Sequence, residues 1–187
     1  MMKYNPEIHH RRSVRLNGYD YSQTGYYFLT ICTQEHKCLF GKIENDIMVL
    51  NDAGKMIDHW WNELKNKFQI ELDQYVIMPN HFHGVINIVG ADLCVCHDNK
   101  SGEQLGEHTG SPLQEPSINK IIQWFKTMTT NDYIYNVKQN HWKPFNGKLW
   151  QRNYYEHIIR DETSLWHIRE YVTNNPCQWR QDELFTG

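Results

Sequence analysis

Two strand-like runs, IELDQYVIM (residues 70–78) and HFHGVINIV (81–89), meet at Met78-Pro79-Asn80. Proline fixes φ and asparagine tolerates unusual backbone angles, so this joint has turn chemistry. A β-hairpin follows, and it is the strongest constraint on the fold. Residues i and i+2 of a strand share a face. His81 and His83 therefore project together, while Phe82 points the other way, with Ile86 and Ile88, toward the core.

The rest of the chain alternates between two periodicities. GYYFLTICT (25–33) is rich in aromatic and β-branched residues and reads as a strand. In 51–68, Met56, Ile57, Trp60, Trp61, Leu64 and Phe68 recur at three- and four-residue intervals, which predicts an amphipathic helix capped by Asn51 or Asp52. Residues 117–137 repeat this pattern through Ile118, Ile121, Ile122, Phe125, Met128 and Thr129, with Ser117 as the cap. YYEHIIR (154–160) predicts a strand, and 161–175 a helix stopped by Pro176. Setting aside the last helix, the order is the βαββαβ pattern of a ferredoxin-like α+β fold with an antiparallel sheet. We expect one domain over 1–187, with a basic arm at 1–24 and a mobile loop at 90–116, where Gly, Ser and acidic residues show no useful periodicity.

The formal charge of −3 excludes little, because a nucleic-acid binder can carry a local basic patch under an acidic total. One such cluster is HHRRSVRLNGYDY, with Arg11, Arg12 and Arg15. The five cysteines are scattered, no signal peptide is read, and no apolar run approaches the ~20 residues of a membrane span. We expect a cytoplasmic protein with reduced thiols and no membrane partner. Cys94, Cys96 and His97 have the residue types of a zinc site but lack a second pair at finger spacing.

Two imidazoles on one strand face, with Cβ atoms about 7 Å apart, can converge on a metal ion. The same pair also fits a merely exposed sheet face, or a metal-dependent hydrolase. In the last helix, Leu165, Ile168 and Val172 form a core stripe, and Tyr171 and Asn175 share its flank. If that helix crosses the histidine face, a phenol and an amide oxygen meet the imidazoles.

Three segments then resemble a known family. MPNHFHGVI (78–86) resembles the His-hydrophobic-His signature of the HUH endonucleases in the form used by single-tyrosine transposases. LWQRNYYEHIIRDE (149–162) followed by IREYVTNNP (168–176) is similar to the C-terminal signature of the REP-associated tyrosine transposases. GYDYSQTGYYFLTICTQEHKCLFG (18–41) resembles the N-terminal strand region of that branch.

The resemblance implies that His81, His83 and Asn175 hold a divalent cation, Mg²⁺ or Mn²⁺, and that Tyr171 is the nucleophile. It implies cleavage of single-stranded DNA beside hairpin-forming repeats, through a 5′-phosphotyrosine link, with strand transfer as the reverse reaction. Either a monomer or a homodimer fits. Arg152 and His157 become candidate DNA contacts, as do Arg11, Arg12 and Arg15. Trp124 and Trp150 are candidates for stacking on bases. Tyr154 and Tyr155 are rival nucleophiles by chemistry alone. A silent nucleic-acid binder with the same fold is the main alternative.

Overall fold

A computed structural model describes residues 23–89 and 117–185. The basic arm with Arg11, Arg12 and Arg15, the 90–116 segment and the Cys94–Cys96–His97 cluster lie outside the described residues.

Four strands form an antiparallel sheet in the order β4 (Ile70–Ile77), β5 (His81–Ile88), β1 (Gly25–Cys32), β6 (Tyr155–Ile159). Two helices cover one face. Helix α1 (Asp52–Lys67) starts where the Asn51 side chain accepts from Gly54 N, and α2 (Ile118–Gln139) where Ser117 accepts from Lys120 N. Their apolar stripes, including Ile57, Trp61, Ile122 and Phe125, bury Tyr27, Leu29 and Ile31 of β1 and Phe82 and Ile86 of β5. A Cβ at Gly84 would lie 2.6 Å from the Trp61 ring, so the strand reaches this close only because position 84 has no side chain.

The opposite face carries α3 (Glu162–Gln178). Leu165 and Val172 pack on Phe28, Val85 and Ile159, with Ile168 partly buried beside them. This is the expected stripe. A register shift in β4 between Leu72 and Tyr75 turns Asp73 and Gln74 outward. There Arg169 Nε donates to Asp73 Oδ1 at 2.8 Å, its Nη2 donates to the second carboxylate oxygen, and Gln74 Nε2 donates to Thr173 Oγ1 at 3.2 Å. The guanidinium holds the Asp73 carboxyl below its ordinary range. These contacts dock α3 onto the sheet on either side of Tyr171.

Two features differ from expectation. A second hairpin, β2 (Gly41–Glu44) and β3 (Ile47–Leu50), precedes α1, turning through Asn45 and Asp46 at positive φ. Pro176 does not stop α3. The helix runs to Gln178 and passes into a 3₁₀ turn at Trp179–Gln181. A late proline removes one backbone donor in the final turn, where the loss is small, and buried Trp179 anchors the continuation. The histidine face of β5 is buried, as it must be where the last helix crosses it, and α3 and residues 179–185 cover it.

Candidate active site

The hairpin turn builds the first part of the site. His81 and His83 are fully or almost fully buried, with ring centroids 4.6 Å apart. Each ring is fixed through Nδ1. The Asn80 side chain is buried, and its Nδ2 donates to His36 O (3.2 Å) and Leu184 O (2.7 Å). Its Oδ1 is therefore the acceptor facing His81, and His81 Nδ1–H donates to it at 2.8 Å. His83 lies opposite Thr30 across the β1–β5 pair, and its Nδ1 and Thr30 Oγ1 share a hydrogen bond of 2.8 Å. With the ring proton on Nδ1, both rings present a bare Nε2 to the same space. A ligating histidine needs this arrangement, with its second nitrogen held by an oxygen.

Helix α3 supplies the second part. Tyr171 and Asn175, four residues apart, face the imidazoles. Tyr171 O–H donates to His83 Nε2 at 3.3 Å, and its ring packs edge-on against Phe28. Asn175 is 1% exposed. Its Nδ2 donates to Asp182 Oδ2 at 3.2 Å, which turns Oδ1 inward. Asn175 Oδ1 and His81 Nε2 are buried acceptors with no hydrogen-bond donor among the described residues. Two orphaned lone pairs aimed into one polar space cost free energy unless a cation or water takes them.

Asp182 completes the group, and sequence reasoning missed it. It follows the 3₁₀ turn, and its Oδ1 accepts from Leu184 N at 2.7 Å. Asp182 Oδ2 lies 4.0 Å from His81 Nε2, and ligand atoms of His81, His83 and Asp182 all fall within 4.8 Å of one another. Two neutral imidazoles, a carboxylate and an amide oxygen are a donor set that fits a divalent cation.

Electrostatics agree with that use. Burial pushes the His81 imidazole down to about 4, against an opposing pull from Asp182, and pushes His83 well below its ordinary value. Both are neutral near pH 7, as ligands must be. Burial, followed by the Asp182 charge, raises the Tyr171 phenol above its ordinary value. Cys32 on the cleft wall is pushed up to about 11 by burial, so no thiolate competes there.

These shifts set a pH dependence of folding. Between pH 6.5 and about 4 the unfolded chain binds protons at His81 and the folded chain does not, so stability rises with pH across that window. The metal-free protein is expected to keep its melting temperature from pH 8 to 7 and lose it progressively from pH 6.5 toward 4. Thermal melts in chelator check this, and His81→Gln flattens the slope.

His83, Tyr171, Asn175 and Asp182 line a cleft of about 730 Å³ that is also lined by Tyr154 and Tyr155. Four sequence candidates, His81, His83, Tyr171 and Asn175, are brought together. Arg152 instead lines a neighbouring cavity, and His157 is exposed on the edge strand β6, opposite Phe28. Trp150 is a core residue against Phe40 and Phe125, and Trp124 packs on Trp60 and Phe68.

The structure of a REP-associated tyrosine transposase bound to a REP hairpin matches this fold. The TM-score is 0.52 at 17% identity, over 95% of this chain and 74% of that one. The fold is therefore that of a known transposase, an α+β antiparallel sheet with a further C-terminal helix. In sequence, an uncharacterized protein of Haemophilus influenzae is 40% identical over 198 aligned residues, spanning 98% of this chain and 97% of its own. The chain belongs to one family with that protein. No family model matches it.

Proposed function

We propose that this chain is a metal-dependent endonuclease and strand transferase of single-stranded DNA, of the REP-associated tyrosine transposase type. It acts at hairpin-forming repeats through a 5′-phosphotyrosine intermediate. One observation carries the reading: the Tyr171 hydroxyl stands 3.3 Å from His83 Nε2, beside buried acceptors that lack donors among the described residues. An exposed histidine pair does not account for it, since both rings are buried. The Tyr154 hydroxyl instead donates to Asn119 Oδ1 at 2.7 Å.

In this reading His81 and His83 hold the cation through Nε2. Asn175 contributes Oδ1, and Asp182 either ligates directly or holds the Asn175 amide in place. Two nitrogens and one or two oxygens suit Mn²⁺ better than Mg²⁺, which prefers oxygen. A cation held by these residues would supply polarisation of the scissile phosphate and stabilisation of the charge in its transition state.

Tyr171 Oη attacks the phosphorus, forming the Tyr–O–P bond as the P–O3′ bond breaks. The phenol proton leaves to water through the open cleft, and the departing O3′ takes one up. The phenol is a weak nucleophile at about pKa 10, and burial raises it further. Attack therefore depends on positioning, which Phe28 and the Arg169–Asp73 and Thr173–Gln74 contacts provide. Attack by another 3′-OH on the phosphotyrosine reverses the step and rejoins a strand, with no nucleotide cofactor.

The test is incubation of labelled single-stranded hairpin DNA with the protein and Mn²⁺, followed by denaturation. A protein-linked label that requires metal, and is absent with fully duplex DNA, supports the reading. Cleavage to free ends without a protein-linked species contradicts it.

Asn80 provides an independent check on the ligand role. Asn80→Ala frees His81 Nδ1 and leaves the His36 and Leu184 carbonyls without their donor. We expect Mn²⁺ affinity to fall about 10- to 100-fold, with about 1–3 kcal/mol of stability lost. Calorimetric titration and chemical denaturation separate the two effects.

A further inference from the structure

The cleft that holds Tyr171 carries a second exposed phenol on its other wall. Strands β5 and β6 flank β1 on opposite sides, and Thr30 of β1 pairs with His83 on one side and Tyr155 on the other. Residues directly opposite each other across antiparallel strands share a face of the sheet. His83 and Tyr155 therefore stand on one face, two strand spacings or about 10 Å apart at Cα. Phe28 lies between them. Its ring stacks on His83 at 5.4 Å and makes edge contacts with Tyr155 at 6.4 Å and Tyr171 at 6.1 Å. A phosphate beside His83 and the Tyr171 hydroxyl thus has the nucleophile on the histidine side and Tyr155 across the cleft.

Displacement at phosphorus sets the attacking and leaving oxygens roughly in line. With Tyr171 attacking from the histidine side, the departing O3′ emerges toward the opposite wall. A sugar alkoxide is a far stronger base than a phenolate, so a phenol standing there can hand it a proton as the bond breaks. Few side chains of the cleft compete for this task. The Thr30 and Tyr154 hydroxyls are engaged by His83 and Asn119. The Cys32 thiol, pushed up to about 11 by burial, lies opposite His81 on the β5 side. Tyr155 is 48% exposed and lines the cleft, so its hydroxyl is accessible to a bound strand.

We propose that Tyr155 is the proton donor to the leaving O3′ and, in rejoining, the proton acceptor for the attacking 3′-OH. As the P–O3′ bond breaks, its electron pair goes to O3′, the Tyr155 O–H bond breaks, and the proton passes to O3′. Tyr155 is left as a phenolate and regains a proton from water in the open cleft. In the reverse step the phenolate takes the proton of the 3′-OH, whose oxygen bonds to phosphorus as Tyr171 Oη leaves. This role rests on the reading of Tyr171 as the nucleophile, and it assigns to β6 a proton transfer otherwise left to solvent.

The test uses full-length protein, Mn²⁺ and two single-stranded hairpin DNAs, with the scissile position first mapped by the wild type. One DNA has the ordinary O3′. The other carries sulfur in place of that bridging oxygen, and a thiolate departs without needing a proton. Tyr155→Phe is expected to form the Tyr171 adduct about 100-fold more slowly than wild type on the oxygen substrate, and within about threefold of it on the sulfur substrate. Its melting temperature, Mn²⁺ affinity and strand affinity should match the wild type, because the ring contact with Phe28 persists. An equal deficit on both substrates would reduce Tyr155 to a wall residue and overturn the proposal. An undiminished rate on the oxygen substrate would overturn it too. In both cases the wild-type adduct would leave Tyr171 standing as the nucleophile. A wild type that forms no adduct on either substrate would remove the cleavage reading and this role with it.

Discussion

Tyr171→Phe removes one oxygen and is expected to cost at least about 1,000-fold in strand cleavage, with no protein-linked DNA remaining. The phenol is the only part of the side chain the proposed chemistry uses. Its ring contacts with Phe28 and His83 persist in phenylalanine, and the position is 42% exposed, so the fold should be little changed. Single-stranded DNA binding and Mn²⁺ affinity should stay within about twofold, since neither depends on the hydroxyl in this account. Gel separation of the adduct and fluorescence anisotropy with the same oligonucleotide check both halves. Full cleavage by Tyr171→Phe would move the reaction to Tyr155, to Tyr154 or to water.

The second large effect concerns the imidazoles. His81→Ala and His83→Ala each remove a buried donor nitrogen, and each is expected to lower cleavage at least about 1,000-fold. Both also leave a hole in a buried face, so lost activity alone does not separate ligation from packing. Stabilisation by metal does. A cation that binds only the folded chain at 100 times its dissociation constant adds about 2.7 kcal/mol to stability. The wild-type melting temperature should therefore rise on adding Mn²⁺, while His81→Gln and His83→Gln, which keep much of the volume, should show no rise. An equal rise in all three proteins would place the metal elsewhere.

The main sheet and three helices were legible because each rests on a long periodic run. Helix α1 buries Ile57, Trp61 and Leu64 as its spacing requires, and α3 buries Leu165 and Val172 while setting Tyr171 and Asn175 on one flank. The β2–β3 hairpin was not legible. Its strands are four residues each, too short for alternation to stand out, and Ile47 faces solvent. The turn used Asn45-Asp46 at positive φ, a weaker signal than a glycine pair. Pro176 misled by position, because a proline near the end of a helix has little left to break.

The candidate site divides in the same way. The shared face of His81 and His83 follows from strand geometry, yet their burial does not, since it depends on where α3 docks. That docking is set by Asp73 and Gln74 at an irregularity in β4, which no local pattern announces. Asp182 was invisible for a related reason. It lies beyond the helix, and only the return of residues 179–185, tied by Asn80 to Leu184, brings it beside His81. Arg152 and His157 had a motif to recommend them, but the structure puts one in the adjoining cavity and the other on the exposed edge of the sheet.

The central claim is that Tyr171 attacks a phosphate beside His81 and His83, and peptide mapping of the denatured adduct tests it most directly. Wild-type protein is incubated with single-stranded hairpin DNA and Mn²⁺, digested with nuclease and protease, and examined by mass spectrometry. The account predicts a 5′-linked nucleotide on Tyr171 within IREYVTNNP, absent in chelator. A nucleotide on Tyr154 or Tyr155, or cleavage in Mn²⁺ with every tyrosine unmodified, would contradict it.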